Sequence, residues 1–303
     1  MKLWEKYHTP SSIEEAVSLL KHYNGAARII AGGTDLLVEM RDQGHDPIPA
    51  LVDITSVKEL QHIQQVGDEI IIGAGVTHSQ IVQSEVLAAR GTCLVESCGV
   101  VGGPQVRNVA TLGGNVAHAL PAGDGTTSLV ALDATAEIIK DGKQKTVPIR
   151  EMYLGPANSL LDPTRDILLR FRFALVGERE GSAFKRIMRP QGVALPILGC
   201  AVWVRLNESR ERYAAVRICL APVAATPIRA EAVESALVGM PTDDDAIEKA
   251  GFVALQTLHP RTSKYRATAD YRQEMIVVLL RRTLPLAVQR ARTGQAIPEG
   301  VGA

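Results

Sequence analysis

Two stretches of this chain set adjacent glycines beside hydroxyl and amide side chains: Ile29 to Leu37, reading IIAGGTDLL, and Thr111 to Asp124, reading TLGGNVAHALPAGD. A Gly-Gly step lets the backbone turn through positive φ and brings N–H groups to a ligand with no Cβ in the way. Successive N–H groups that point into one hollow bind anions. Thr34 and Thr111 add hydroxyls, and Asn115 adds an amide that donates or accepts. The chemistry on offer is a grip on a pyrophosphate by backbone amides from two sides, without a basic cluster. The alternative for either loop is an ordinary tight turn. Asp124, which ends the second stretch, would repel phosphate and suits ribose-type hydroxyls, as acidic residues do in dinucleotide sites. It would also serve as the cap of a following helix.

Other chemistries find less support. Lys+Arg and Asp+Glu each number 33, a formal net charge of +0, so nothing draws the chain at long range to nucleic acid or an anionic membrane. An anion site must therefore be local. The 7 histidines show no H-x-x-x-H or H-x-H spacing, and Cys93, Cys98, Cys200 and Cys219 form no C-x-x-C pair, so no metal site is expected. The thiols read as buried and free in a reducing cytoplasm. His118 reads as structural or exposed. IGAGVTH, Ile72 to His78, begins like a dinucleotide fingerprint but has His78 where the last glycine belongs. There is no Walker loop and no G-x-S-x-G elbow. No apolar h-region opens the chain, and no apolar run reaches the ~20 residues of a membrane span.

The elements that must position these loops are legible in part. PSSIEEAVSLLK predicts a helix entered through a Ser11–Glu14 capping box and stopped at Asn24-Gly25. ARIIAG is a short strand running into Gly32-Gly33. ALVDI and EIIIGAG are strands, SQIVQSEVLA and CLVESCGVV helices, and this alternation predicts α/β lobes. TTSLVALDA is helical, Asp141-Gly142 turns a hairpin, and DILLRFRFAL is a strand. After a polar stretch near Leu175 to Gly181 come three strands, SAFKRIM, ILGCAVWVRL and AAVRICLAPV, then three helices. Strands followed by helices predict α+β with an antiparallel sheet. Tyr271, Met275, Val278 and Leu279 share one face of the last helix. In SAFKRIM, Lys185 and Arg186 point to opposite faces, so one of them points inward.

Taken in order, IIAGGTDLL, GPQVRNVATLGGN with PAGD, GSAFKRIMRP and HPRTSKYRATADYR resemble the FAD-binding medium subunit of molybdenum hydroxylases, across almost the whole chain. The resemblance implies an α+β protein: a two-lobed FAD-binding fold of the vanillyl-alcohol oxidase (PCMH) type over 1–176, split near 55–60, then an α+β domain over 177–291 with a small antiparallel sheet, then a flexible tail over 292–303. It implies non-covalent FAD held by Ile29, Ile30, Ala31, Gly32, Gly33, Thr34, Asp35 and Leu36, and by Thr111, Leu112, Gly113, Gly114 and Asn115. It further implies contacts from Val101, Asp124, Leu168 or Leu169, and Lys185, whose cation would stabilise a reduced flavin. No catalytic residue of the chain's own is implied. Electrons would come from [2Fe-2S] clusters on a small subunit, after chemistry at the molybdenum cofactor of a large molybdopterin-binding subunit. They would leave to NAD or another acceptor, within a dimer of heterotrimers. The motifs look closest to xanthine dehydrogenases, with carbon monoxide, aldehyde and other N-heterocycle dehydrogenases open. No Cys lies between Asn115 and Asp141, so the [4Fe-4S] insertion of the 4-hydroxybenzoyl-CoA reductase branch is not expected. A stand-alone flavin oxidase and an FAD-free scaffold are the competing readings.

Overall fold

In the computed structural model, which describes residues 2–42, 46–189, 195–264 and 266–300, the chain opens with β1 (Trp4–His8), α1 (Ile13–Tyr23), β2 (Ala27–Ile30), α2 (Leu36–Asp42) and β3 (Ile48–Asp53). The cap of α1 lies one residue beyond the predicted one. Ser12 accepts from the Glu15 N–H, and the Glu15 carboxylate accepts from the Ser11 N–H. Neighbouring Ser-Ser and Glu-Glu pairs make the two registers equivalent in the pattern. The strands form a parallel sheet ordered β1-β3-β2, with α1 and α2 in the crossovers that parallel strands need.

Two 3-10 turns, Ile54–Ser56 and Lys58–Leu60, lead to the next lobe. It holds β4 (Ile63–Val66), β5 (Glu69–Gly73), α3 (His78–Val82), α4 (Glu85–Arg90), α5 (Thr92–Gly99), α6 (Pro104–Arg107), α7 (Leu112–Ala117) and α8 (Asp124–Ala131). These are followed by β6 (Thr135–Lys140), β7 (Lys143–Pro148), β8 (Tyr153–Gly155), β9 (Asn158–Ser159) and β10 (Ile167–Ala174). Asp141 and Gly142 take φ of 52° and 75°, the left-handed turn that Asp-Gly predicts. The sheet, ordered β4-β5-β10-β6-β7, is antiparallel throughout. The expected α/β alternation is therefore not what this lobe builds. β10 comes last in sequence yet inserts between β5 and β6, a long-range pairing that local periodicity does not encode.

The remaining elements are β11 (Glu180–Met188), β12 (Pro196–Leu206), β13 (Tyr213–Ala221), β14 (Ile228–Arg229), α9 (Glu231–Leu237), α10 (Asp244–Thr257) and α11 (Ala269–Thr293). The antiparallel sheet β11-β12-β13-β14 has α5 and α8 on one face and α11 on the other. Covered on both sides, β12 is buried almost from end to end. The middle lobe's core consequently runs past residue 176: Phe184, Ala201, Trp203 and Cys219 join Leu94 and Leu129 in one cluster. A Cβ on Gly181 would stand 2.1 Å from the Ala287 carbonyl oxygen, so β11 and α11 meet backbone to backbone.

Two expectations change here. The buried stripe of α11 is Arg272, Ile276, Leu279, Leu280 and Leu284, while Tyr271 is exposed. The apolar residues Ile276, Leu279, Leu280, Leu284 and Ala287 set that stripe, one position round from the predicted face, and Arg272 falls on it, where its guanidinium donates to the Arg261 carbonyl. The tail is also tied down. Gly294 (φ 71°) ends α11, the Arg290 guanidinium donates to the Ile297 carbonyl, and the buried Glu96 carboxylate accepts from the Glu299 N–H. Residues 301–303 of that tail, and Pro190 and Tyr265 of the two late motifs, lie outside the described residues. Among the described residues no helix is long and apolar enough to cross a membrane.

Candidate functional site

A cavity of about 770 Å3 opens between the first lobe, the α7–α8 segment and β11–β12, and both glycine loops line it. The first loop is delivered by β2, whose parallel pairing with β3 ends at Ile30. Gly33 then takes φ 69°, a left-handed value that favours glycine. The N–H groups of Gly32, Gly33, Thr34 and Asp35 reach no acceptor among the described residues. All of Ile29 to Leu36 faces the cavity.

The second loop is a helix start. Thr111 caps α7, its hydroxyl accepting from the Gly114 N–H at 2.9 Å, and its carbonyl accepts from Asn115 N–H at 3.0 Å. Leu112 and Gly113 donate to Val76 and Ala74 carbonyls, each at 2.9 Å. The expectation that amides grip from both sides fails at this point, because these four donors are already used. Gly113 instead permits close approach: a Cβ there would lie 2.4 Å from the Ala74 oxygen. Gly32 does likewise for the junction of the loops, where a Cβ would lie 2.1 Å from the Val109 oxygen. The IGAGVTH stretch is thus a brace, with Ala74, Val76 and His78 all bonded to residues 110–113.

Thr111, Gly113, Gly114 and Asn115 line the cavity, as do Val101, Asp124 and Leu168. Leu112 is buried behind the wall in the middle core. Leu169 turns the other way, into the first-lobe core with Ile167, as successive residues of a strand alternate between faces. Lys185 is not brought to the cavity: it pairs with Glu299. Its neighbour Arg186 is the inward residue, and its guanidinium donates to the Asp124 carboxylate at 2.6 Å. Asp124 is the first residue of α8 and does not cap it; Gly123 holds the cap position. Burial drives the Asp124 carboxyl up to about 6, against the opposing pull of Arg186 and Arg266.

Sequence reasoning missed Arg28, His78, Arg186 and Arg266, all of which line the cavity. Arg186 carried a signal, its alternation with Lys185; the others are brought in by tertiary contacts. His78 is 1% exposed, and burial, then the Arg107 charge, holds it down at about 4. Arg107 braces the Val101–Gly102 turn through both carbonyls.

Among the described residues, three buried polar atoms of the lining have no partner: His78 Nδ1, Asn115 Oδ1 and Arg186 Nε. Open amides beside one wall and orphaned polar atoms along another fit a long ligand with a diphosphate and a hydroxylated, hydrogen-bonding remainder. The family model described as the FAD binding domain in molybdopterin dehydrogenase matches residues 3–173. This chain belongs to that family. The model for the CO dehydrogenase flavoprotein C-terminal domain matches residues 182–287 of the same flavoprotein. The carbon monoxide dehydrogenase medium chain of Hydrogenophaga pseudoflava is 31% identical over 285 residues, covering 94% of this chain and 97% of that one. The xanthine dehydrogenase FAD-binding subunit of Escherichia coli O157:H7 is 30% identical over 288 residues, covering 94% and 96%. Among solved structures, the carbon monoxide dehydrogenase of H. pseudoflava that lacks the Mo-pyranopterin moiety superposes with TM-score 0.87 at 30% identity, covering 96% of this chain and 99% of that one. The flavoprotein is thus an oxidoreductase subunit with an FAD-binding domain and a C-terminal domain in an α+β fold.

Proposed function

We propose that this chain is the electron-transfer subunit of a three-subunit molybdenum hydroxylase, taking electrons from [2Fe-2S] clusters of a small subunit and passing them to NAD or another acceptor. A large subunit would hold the molybdenum cofactor, within a dimer of heterotrimers in the cytoplasm. The observation that carries the reading is the pairing of the open Gly32–Asp35 amides with the orphaned polar atoms of Asn115 and Arg186 in one cavity. Bound FAD supplies a carrier that accepts electrons and releases a pair. The chain's residues bind and orient it. The Gly32–Asp35 amides and the Thr34 hydroxyl hold the diphosphate, and Gly114 leaves room beside them. Asn115 and the free side of Asp124 take hydroxyls. Val101 and Leu168 give apolar contact, while Leu112 and Leu169 shape the wall from behind. Arg186, in the role expected of Lys185, sets a cation against the reduced ring.

Relatives named for carbon monoxide and for xanthine stand at 31% and 30% identity, so they favour neither substrate over the other. The test is the visible spectrum of the purified full chain, together with Gly114→Val. Wild type should show bound flavin and capture an iron–sulfur partner, and the variant should keep its far-UV circular dichroism and lose the flavin. A folded, colourless wild type would sink the proposal.

A further inference from the structure

Among the described residues two alanines take a left-handed backbone, Ala119 (φ 54°) and Ala157 (φ 54°), and they are bonded to each other: the Ala157 N–H donates to the Ala119 carbonyl at 3.0 Å. Ala119 follows the last turn of α7, and Ala157 follows Pro156 in the turn between β8 and β9. Glycine is the usual residue at both kinds of position, because a Cβ is crowded there. An L-residue in that conformation stores strain and keeps it only where its surroundings impose it. Here they do. Ala119 is fully buried, and the β8–β9 ribbon is rooted by the Tyr153 hydroxyl, which shares a hydrogen bond with the Thr126 hydroxyl of α8. Both alanines sit at the cavity: His118, Leu120, Ala122 and Gly123 line it from the segment that holds Ala119, and Ala157 and Asn158 line it from the ribbon tip. The same segment crosses to the first lobe, where His118 Nε2 stands 4.0 Å from Asp35 Oδ1 and Nδ1 stands 3.6 Å from Glu39 Oε1. Asp35 carries the last of the four amides that reach no acceptor among the described residues. The crossing therefore closes the cavity where those amides end. It is a weak tie: neither distance is that of a hydrogen bond, both carboxylates are exposed, and Arg28, 4.0 Å from Glu39 Oε2, competes for one of them.

We propose that residues 118–123 and the β8–β9 tip form a clasp that parts to let FAD in or out and closes over it beside Asp35. This rests on the cradle proposed above, with the diphosphate held at Gly32–Asp35. The tie from His118 to the first lobe favours the closed state, and the strain at Ala119 and Ala157 works against it, so the two set the population of the open state between them. A passage gated in this way limits entry and exit alike. His118 is a positioning residue of the clasp and needs no contact with FAD.

The test follows flavin fluorescence in a stopped-flow instrument. Mixing the flavin-free full chain with FAD gives the association rate, and diluting the FAD-loaded chain gives the dissociation rate. Ala119→Gly and Ala157→Gly remove the Cβ and with it the strain of the closed state, so association and dissociation should each slow about threefold. His118→Ala cuts the tie, so both should quicken about threefold. In all three variants Kd should stay within about twofold of wild type, because a gate acts on both rates together. Rates unchanged in every variant, a changed dissociation rate beside an unchanged association rate, or glycine and His118 variants that shift the rates in the same direction would each overturn the clasp. A wild-type chain that takes up no FAD is a separate outcome, which overturns the cradle and this inference with it; failure of the clasp alone leaves wild-type binding intact and is read only in the variants.

Discussion

At Gly32-Gly33 four consecutive amides of cavity-lining residues reach no acceptor among the described residues, whereas at Gly113-Gly114 the amides from Leu112 to Asn115 are all bonded within the protein. The threonines divide in the same way. The Thr111 hydroxyl is spent as a helix cap, and Thr34 has no such duty in α2. One loop is kept for a ligand; the other is a rigid abutment that holds it, since Gly32 lies directly on the Val109 carbonyl just before Thr111. A Gly-Gly step therefore marks a close approach of backbone, and what approaches, ligand or protein, differs between two loops of the same composition. Within the second loop the two glycines divide again, because Gly113 touches Ala74 whereas an added Cβ on Gly114 would meet only the Thr111 hydroxyl, at 3.1 Å.

The sharpest way to break this comparison is to add a methyl group at each approach. Gly32→Ala and Gly113→Ala drive a Cβ against immovable carbonyls, so each should cost about 3 kcal/mol in urea unfolding and lose flavin. Gly114→Ala should cost less than about 0.5 kcal/mol, as an exposed alanine in a helix. Equal costs at Gly113 and Gly114 would erase the division of labour.

Next in size are two pH effects on the walls beside the second loop. The Asp124 carboxyl rises from 3.8 to about 6 on folding. The folded chain then holds more protons than the unfolded one between those values, so this contribution to stability falls as pH rises through that window. His78 moves from 6.5 to about 4, so its contribution is present above 6.5 and is lost as pH falls toward 4. In the FAD-free wild type the two slopes oppose each other. Asp124→Asn should steepen the loss of stability in acid, and His78→Gln should flatten or reverse it, by about 2 kcal/mol each. Thermal melts across pH 4 to 7 check both. Parallel curves for the two variants would contradict the assignment.

Smaller still, Thr111→Val removes the cap on Gly114 N–H and should cost about 1 kcal/mol of stability. Thr34→Val should leave stability within about 0.5 kcal/mol and weaken FAD binding several-fold. A stability loss at Thr34 to match that at Thr111 would mean that the first loop, too, is built for the fold.

Much of this protein was legible from the order of its residues. Local rules placed the Asp141-Gly142 hairpin, the first helix to within one residue of its cap, the strand before Gly32, the strands-then-helices texture of the C-terminal part and the turn at Gly32-Gly33, because each depends on neighbours a few residues away. The four motifs in order carried the family, and with it FAD. Tertiary structure alone decided which amides are free, since the donors of Leu112 and Gly113 are taken by a segment some forty residues earlier. It also decided that Arg186 enters and Lys185 leaves, that Leu168 is the neighbour facing the cavity and Leu169 the one facing the first-lobe core, and that β10 lies between β5 and β6. The physical reason is common to all of these: a hydrogen bond, a buried charge or a strand pairing is set by what stands opposite in space. Spacing along the chain tells what a residue is able to do, and only its partners determine which of those abilities remains unused.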